Sequence, residues 1–216
     1  MCATIVLDFT HMPISSVTKL FRKNKVIYEG KDLLSRIVTG YVDIKSKTTF
    51  DRIAKFIKGK KLLDVGVGAG GISKFLTKKG FFVSGLDIAD VALFEGTNVR
   101  VYNGSDFPFK DNSFETALIV HVLHHCADSL RVLEEAKRVA NRVIIIEDTY
   151  RNIFEKLIVS ISDCLGNWEF YIHPYHTAEW WRNLVAKKGW NLVHMESYSE
   201  LTYNYLYGRY VLFVIE

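Results

Sequence analysis

The chain has 216 residues, of which 49% are hydrophobic and 24% charged, and 28 basic side chains against 24 acidic ones give a formal charge of +4. This balance and length suit one main globular domain and exclude a disordered or fibrous chain. The longest apolar runs, "TALIVHVL" and "RVIIIE", fall well short of the roughly 18 to 20 residues of a membrane span.

The start carries neither a leading basic region nor a small-residue cleavage site, so a cytoplasmic location is expected. The basic residues sit in short clusters, "RKNK" at 22–25 and "KGKK" at 58–61. These read as solvated helix ends rather than as a nucleic-acid surface. Cys2, Cys126 and Cys164 are odd in number and widely spaced. Reduced thiols are expected, not a disulfide framework or a zinc site.

In chain order, "SVTKLF" and "KDLLSRIV" read as N-terminal helices. Phe50, Ile53, Ala54 and Ile57 recur at helical spacing and predict a helix over 49–57, capped by Thr48 or Thr49 and ended by Gly59. "KLLDVG" is a buried strand, and "GGISKFLTKKG" a helix with Ile72, Phe75 and Leu76 on one face and Gly80 as terminator. "FFVSGLD" is a second strand, Val91 to Phe94 a short helical segment, "VRVYN" a third strand and "TALIV" at 116–120 a fourth. The helix "DSLRVLEEAKRVA" leads to a fifth strand, "RVIIIED".

Further on, Ile153, Phe154, Leu157, Ile158 and Ile161 form an amphipathic stripe, "TAEWWRNLVAKKG" is a helix, and "WNLVHME" and "GRYVLFVIE" are the last strands. Alternating strands and helices over 49–148 predict an α/β, Rossmann-like, doubly wound sheet with helices on both faces. Seven strands are expected, mostly parallel, with an antiparallel last strand. The expected division is a helical cap at 1–47, helping to shape a substrate pocket, and a core at 48–216 with a lid or insert near 149–176.

In such a sheet, ligands bind beyond the carboxyl ends of the strands. The first strand ends in "LLDVGVGAGG", where Gly66, Gly68 and Gly71 satisfy G-x-G-x-x-G, and Asp87 follows about 20 residues later, as a dinucleotide site requires. The glycines alone therefore fit a nicotinamide oxidoreductase. Three features favour another ligand. Asp64 lies two residues before Gly66, where a carboxylate repels a pyrophosphate and suits a cationic ligand. Gly70 adds a fourth glycine. In "GSDFPF", Asp106 can accept from an adenine amine and Phe107 can cover the ring.

With these residues the chain resembles the class I S-adenosylmethionine-dependent methyltransferases, most closely the small-molecule branch that includes ubiquinone and menaquinone biosynthesis enzymes. The matching stretches are "LLDVGVGAGG", "GLD" at 85–87, "GSDFPFKDNSFETALIVHVLHH" at 104–125 and "EEAKRVANRVIIIED". The resemblance implies S-adenosyl-L-methionine as cofactor. Asp64, Gly66, Gly68 and Gly70 would surround its methionine part, Asp87 with Ile88 beside it the ribose, and Asp106 with Phe107 the adenine. His121 would line the amino-acid end. The Pro-Gly-Gly common in the family after the helix that precedes the fifth strand is missing, and "VANRV" stands in its place.

"HVLHHC" places His121, His124 and His125 together, but no acidic set at ligand spacing accompanies them, so no metal is expected. His124 is the candidate general base. "YIHPYHTAEWW" gathers His173, Tyr175, His176, Trp180 and Trp181, either as packed aromatics beneath a lid or as a wall of the acceptor pocket. Asn-Pro-Pro-Tyr and Asp-Pro-Pro-Tyr motifs, which the resemblance associates with base and glutamine acceptors, are absent from the sequence. A small organic acceptor methylated at O, N or C is therefore the leading expectation, ahead of RNA or protein. A non-catalytic adaptor on the same fold is the rival from another class.

Overall fold

The computed structural model describes residues 33–90, 92–94, 96–167, 173–201 and 207–216. Helix α1 (Leu33–Ile53) leads through a single 3-10 turn to β1 (Lys61–Val65), α2 (Gly71–Lys78), β2 (Phe82–Asp87), β3 (Val99–Val101) and β4 (Phe114–Val120). A second 3-10 turn, Leu123–His125, precedes α3 (Ser129–Val139) and β5 (Ala140–Asp148). The chain closes with α4 (Ile153–Asn167), α5 (Ala178–Lys187), β6 (Leu192–Leu201) and β7 (Tyr207–Ile215).

The seven strands form one sheet in the order β3-β2-β1-β4-β5-β7-β6. All are parallel except β7, which runs antiparallel to both β5 and β6. The expected architecture is thus present, including the antiparallel last strand. β1 pairs with β2 on one side and β4 on the other, so strand order reverses there, and in open sheets of this kind ligands bind beyond the carboxyl end of the strand at such a point.

Side chains alternate across the sheet with period two. Leu63, Val65, Ala117, Ile119, Val143, Ile145 and Phe213 meet Val132, Leu133, Trp181 and Val185 of α3 and α5. Leu62, Leu118, Ile144, Leu212 and Val214 face the other way and meet Ile53 and Leu76 of α1 and α2. Both faces are dry because right-handed crossovers place helices on each.

Several local expectations are corrected. One continuous helix, Leu33–Ile53, replaces the separate helices read at 31–38 and 49–57, so Thr48 is not a cap; its hydroxyl donates back to the Ile44 carbonyl, 3.0 Å away. This helix packs on α2 so closely that a Cβ on Gly71 would lie 2.3 Å from Val42 Cγ1. Ala92–Phe94 is not helical. The expected helix at "SVTKLF" lies outside the described residues. The stripe of α4 faces outward: Ile153 and Phe154 are 70% and 75% exposed, while Val159 is buried and the helix packs on β7. The short "VANRV" connection is a direct one, with Val139 ending α3 and Ala140 opening β5. Among the described residues, no helix is long and apolar enough to cross a membrane.

Candidate cofactor and acceptor site

The loop after β1 is shaped by glycines in left-handed conformation. Gly66 (φ +75°) donates its N–H to the Leu86 carbonyl at 2.7 Å, and a Cβ there would lie 2.3 Å from Val122 Cγ2. Gly70 (φ +83°) is the N-cap of α2 and closes a turn onto Val67 O at 2.9 Å. At Gly68 (φ +50°) a Cβ would meet nothing within 4 Å, so the outer side of the loop is open.

Asp64 sits beneath this loop, buried, and accepts from Ser73 Oγ at 2.6 Å. Burial pushes its carboxyl up to about 6; the Ser73 hydrogen bond opposes this and the nearby Asp87 charge adds to it. Asp87, at the end of β2, accepts from Gly68 N at 2.8 Å through Oδ2 and from Ala89 N at 3.4 Å through Oδ1. The structure therefore brings Asp64, Gly66, Gly68, Gly70 and Asp87 into one cradle.

The remaining members of the expected set are placed differently. Ile88 is exposed. Asp106 lies at the surface, 2.7 Å from Arg131 Nη2, and hydrogen bonds from Arg131, Asn103 and Ser105 hold its carboxyl below the usual carboxylate range. Phe107 is buried in the core, edge-on to Tyr102 at 5.4 Å between ring centres, with its N–H on Glu135 Oε2 at 2.8 Å. Arg138 closes this loop from α3, bonding Glu135, Asp111 and the carbonyls of Phe107 and Phe109.

Beyond β4, His121 adopts a left-handed backbone (φ +56°), and its N–H donates to the Ile146 carbonyl at 2.8 Å. A non-glycine residue in this region stores on the order of 1 kcal/mol or more, and such strain clusters at functional sites. His121 Nδ1 lies 2.8 Å from Asp148 Oδ2. Burial alone would lower the proton affinity of this imidazole, but the Asp148 charge and hydrogen bond outweigh it and raise it. For Asp148 the balance is mirrored: burial raises its carboxyl, and His121, with His124 and His125, brings it below the ordinary value.

His124 is buried, with Nδ1 2.7 Å from Glu147 Oε2. Glu147 Oε1 accepts from the backbone N–H groups of Val122 and Leu123 at 2.8 and 2.7 Å. Of the two, His121 is the histidine that reaches the surface, and His124 is the one locked from below. Glu147 and Asp148 join the candidate site only through the structure. The signal that marks them is an acid pair ending a continuous apolar run, at the carboxyl end of a parallel strand. Cys126 is a free thiol whose pKa burial pushes up to about 12, helped by the Glu147, Asp87 and Asp128 charges.

The aromatic segment packs over these residues. Thr149 Oγ1 donates to the His176 carbonyl at 2.9 Å, tying the segment to the end of β5. His124 lies 5.3 Å from Tyr175 and 5.7 Å from His173 between ring centres. His176 stacks on Trp180 at 3.5 Å, while Trp181 is buried against Phe213. Thr177 caps α5 by accepting from Trp180 N at 3.2 Å, which fixes how the two tryptophans are presented.

The chain is similar to known proteins in part of its sequence and in its fold. Residues 63–142 match the methyltransferase domain family. An uncharacterised protein of Methanocaldococcus jannaschii is 35% identical over 101 residues, 46% of this chain and 49% of that protein. The demethylmenaquinone methyltransferase of Thermotoga maritima is 29% identical over 133 residues, covering 56% and 58%. The chain thus spans about half to three fifths of the length of these curated relatives. Among solved structures, a SAM-dependent methyltransferase of Methanosarcina mazei superposes with a TM-score of 0.61 at 20% identity, over 76% of this chain and 95% of that one. The magnesium protoporphyrin IX methyltransferase of Synechocystis, solved with bound SAH, gives 0.59 at 14% identity, over 92% and 94%. At these identities the likeness is one of fold. Residues 63–142 thus match a methyltransferase domain, and the seven-stranded fold is the one found in SAM-dependent methyltransferases of known structure.

Proposed function

We propose that the protein transfers a methyl group from S-adenosylmethionine to an O, N or C atom of a small organic acceptor. The observation that carries this reading is the buried Asp64 carboxylate under an open glycine loop, with Asp87 at the next strand end. A buried carboxylate calls for a cationic partner. The ammonium group at the methionine end of the cofactor supplies one, whereas a dinucleotide pyrophosphate would be repelled.

When bound, S-adenosylmethionine supplies a methyl on a positively charged sulfur that leaves as a neutral thioether. Asp64 and the Gly66 to Gly70 loop would hold the methionine end, and Asp87 would meet the ribose hydroxyls. His121 would line the methionine end from the β4 side. We assign acceptor recognition to the 1–47 cap, the lid near 149–176 and the Tyr175, His176 and Trp180 wall. Two relatives, a demethylmenaquinone methyltransferase and a tocopherol O-methyltransferase, name largely apolar acceptors, in keeping with an aromatic wall, whereas a third names the polar sarcosine and dimethylglycine. The chain's contribution to rate is orientation and exclusion of water, with His124 positioned from below by Glu147.

Isothermal titration of the full chain should show S-adenosylmethionine and S-adenosylhomocysteine binding at micromolar levels, with Asp87→Ala weakened at least tenfold. Absence of binding by either ligand would overturn the proposal. A tritiated-methyl screen of fractionated small molecules, lipid, RNA and protein then identifies the acceptor class. Two glycine variants separate folding from binding. Gly66→Ala combines left-handed strain with overpacking on Val122 and should cost about 2–4 kcal/mol of stability. Gly68→Ala carries strain alone, about 1 kcal/mol, yet its methyl enters the ligand's space. Calorimetry should find Gly68→Ala folded and unable to bind S-adenosylhomocysteine.

A further inference from the structure

His124 Nδ1, Glu147 Oε2 and Asp148 Oδ2 converge from the turn after β4 and the end of β5. Their donor atoms all lie within 4.8 Å of one another. His124 Nδ1 is 2.7 Å from the Glu147 oxygen and 3.9 Å from the Asp148 oxygen. Two ligands, each about 2.0–2.2 Å from a tetrahedral ion, stand roughly 3.4 Å apart, so the observed separations bracket a coordination site. We propose that these three side chains bind one first-row divalent cation through one imidazole nitrogen and two carboxylate oxygens. This site stands independently of methyl transfer.

The surrounding contacts are those a metal site uses to aim its ligands. Glu147 is held by the Val122 and Leu123 amides through Oε1, which leaves Oε2 for the ion. Asp148 Oδ2 also accepts from His121 Nδ1, 2.8 Å away. The side chains of His124 and Glu147 are 4% and 1% exposed, whereas those of Asp148 and His121 are 19% and 39% exposed. The site is closed below and opens on the Asp148 side, where three protein ligands would leave a position for water or another ligand. Two acids in a largely buried setting are balanced by a divalent charge. The mixed nitrogen and oxygen set suits Mn2+, Fe2+ or Zn2+ better than Mg2+. The ion enters where His124 and Glu147 now share a hydrogen, which leaves to solvent.

The full chain, stripped with EDTA and dialysed, is titrated with ZnCl2 by calorimetry and with MnCl2 by the paramagnetic resonance signal of the free ion. The expected result is one equivalent bound, with affinity at least tenfold weaker in Asp148→Asn and in His124→Asn. Asp148→Asn keeps an oxygen for His121 and so carries the test should the His124 variant fail to fold. His173→Ala, which removes a neighbouring imidazole outside the ligand set, should bind as the wild type does. No bound equivalent, equal affinity in Asp148→Asn and the wild type, or loss of binding in His173→Ala would each overturn the assignment.

Discussion

Asp64→Asn is expected to lose S-adenosylmethionine binding by about 100-fold while leaving the free protein at least as stable as the wild type at pH 7.5. The first effect follows from removing the charge that faces a buried cation, a loss of about 2–4 kcal/mol. The second follows from the burial that raises this carboxyl from 3.8 to about 6. An acid whose pKa is raised by folding destabilises the folded state when ionised. The cost grows as pH rises from about 4 to about 6 and is complete above that, where it amounts to about 3 kcal/mol. A neutral amide escapes this cost and still accepts from Ser73 Oγ. Thermal midpoints should therefore favour the variant at pH 7.5, and the advantage should shrink below pH 6 as wild-type Asp64 takes up a proton. A variant that binds normally, or whose midpoint falls by many degrees at pH 7.5, contradicts this reading of Asp64.

Glu147→Ala should be among the most destabilising single changes in the chain. It strands the amides of Val122 and Leu123 and the His124 imidazole without their acceptor, in a setting where Glu147 is 1% exposed. The expected cost is about 3–5 kcal/mol, a fall in midpoint on the order of 10 °C for a chain of this size. Glu147→Gln keeps an oxygen for the two amides and should cost about 1 kcal/mol. Hydrogen exchange at Val122 and Leu123 separates this account from a general loosening. Their protection should vanish in the alanine variant and survive in the glutamine one, and a uniform loss across the sheet would contradict it.

Some of the site was legible because its signals are local. Asp64 and Asp87 stand at the ends of short apolar runs, and the glycines between them are required wherever the backbone turns left-handed. Other parts depended on partners distant in sequence. Asp106 has the right spacing for an adenine contact, and its pairing with Arg131 from α3 appears only in the structure. Glu147 lies 23 residues beyond His124, and the parallel pairing of β4 with β5, Val120 opposite Ile146, brings the two side by side. The acids absent from the spacing of "HVLHHC" were therefore present in space.

Helix limits and faces divided in the same way. Thr48 and Thr49 have the chemistry of a cap, yet α1 runs through them because Val42 and Ser46 pack against Gly71 of α2. The stripe from Ile153 to Ile161 identified a helix, while its docking on β7 left that stripe outside.

Sequence by itself determined the strand and helix alternation, the doubly wound sheet and the acid and glycine loop at its first strand end. These follow from periodicity and backbone sterics, which act within a few residues. Only the tertiary structure decided which acid meets which histidine and which helix face meets the sheet. Those contacts arise from strand pairing and side-chain packing between residues far apart along the chain, and no local pattern encodes them.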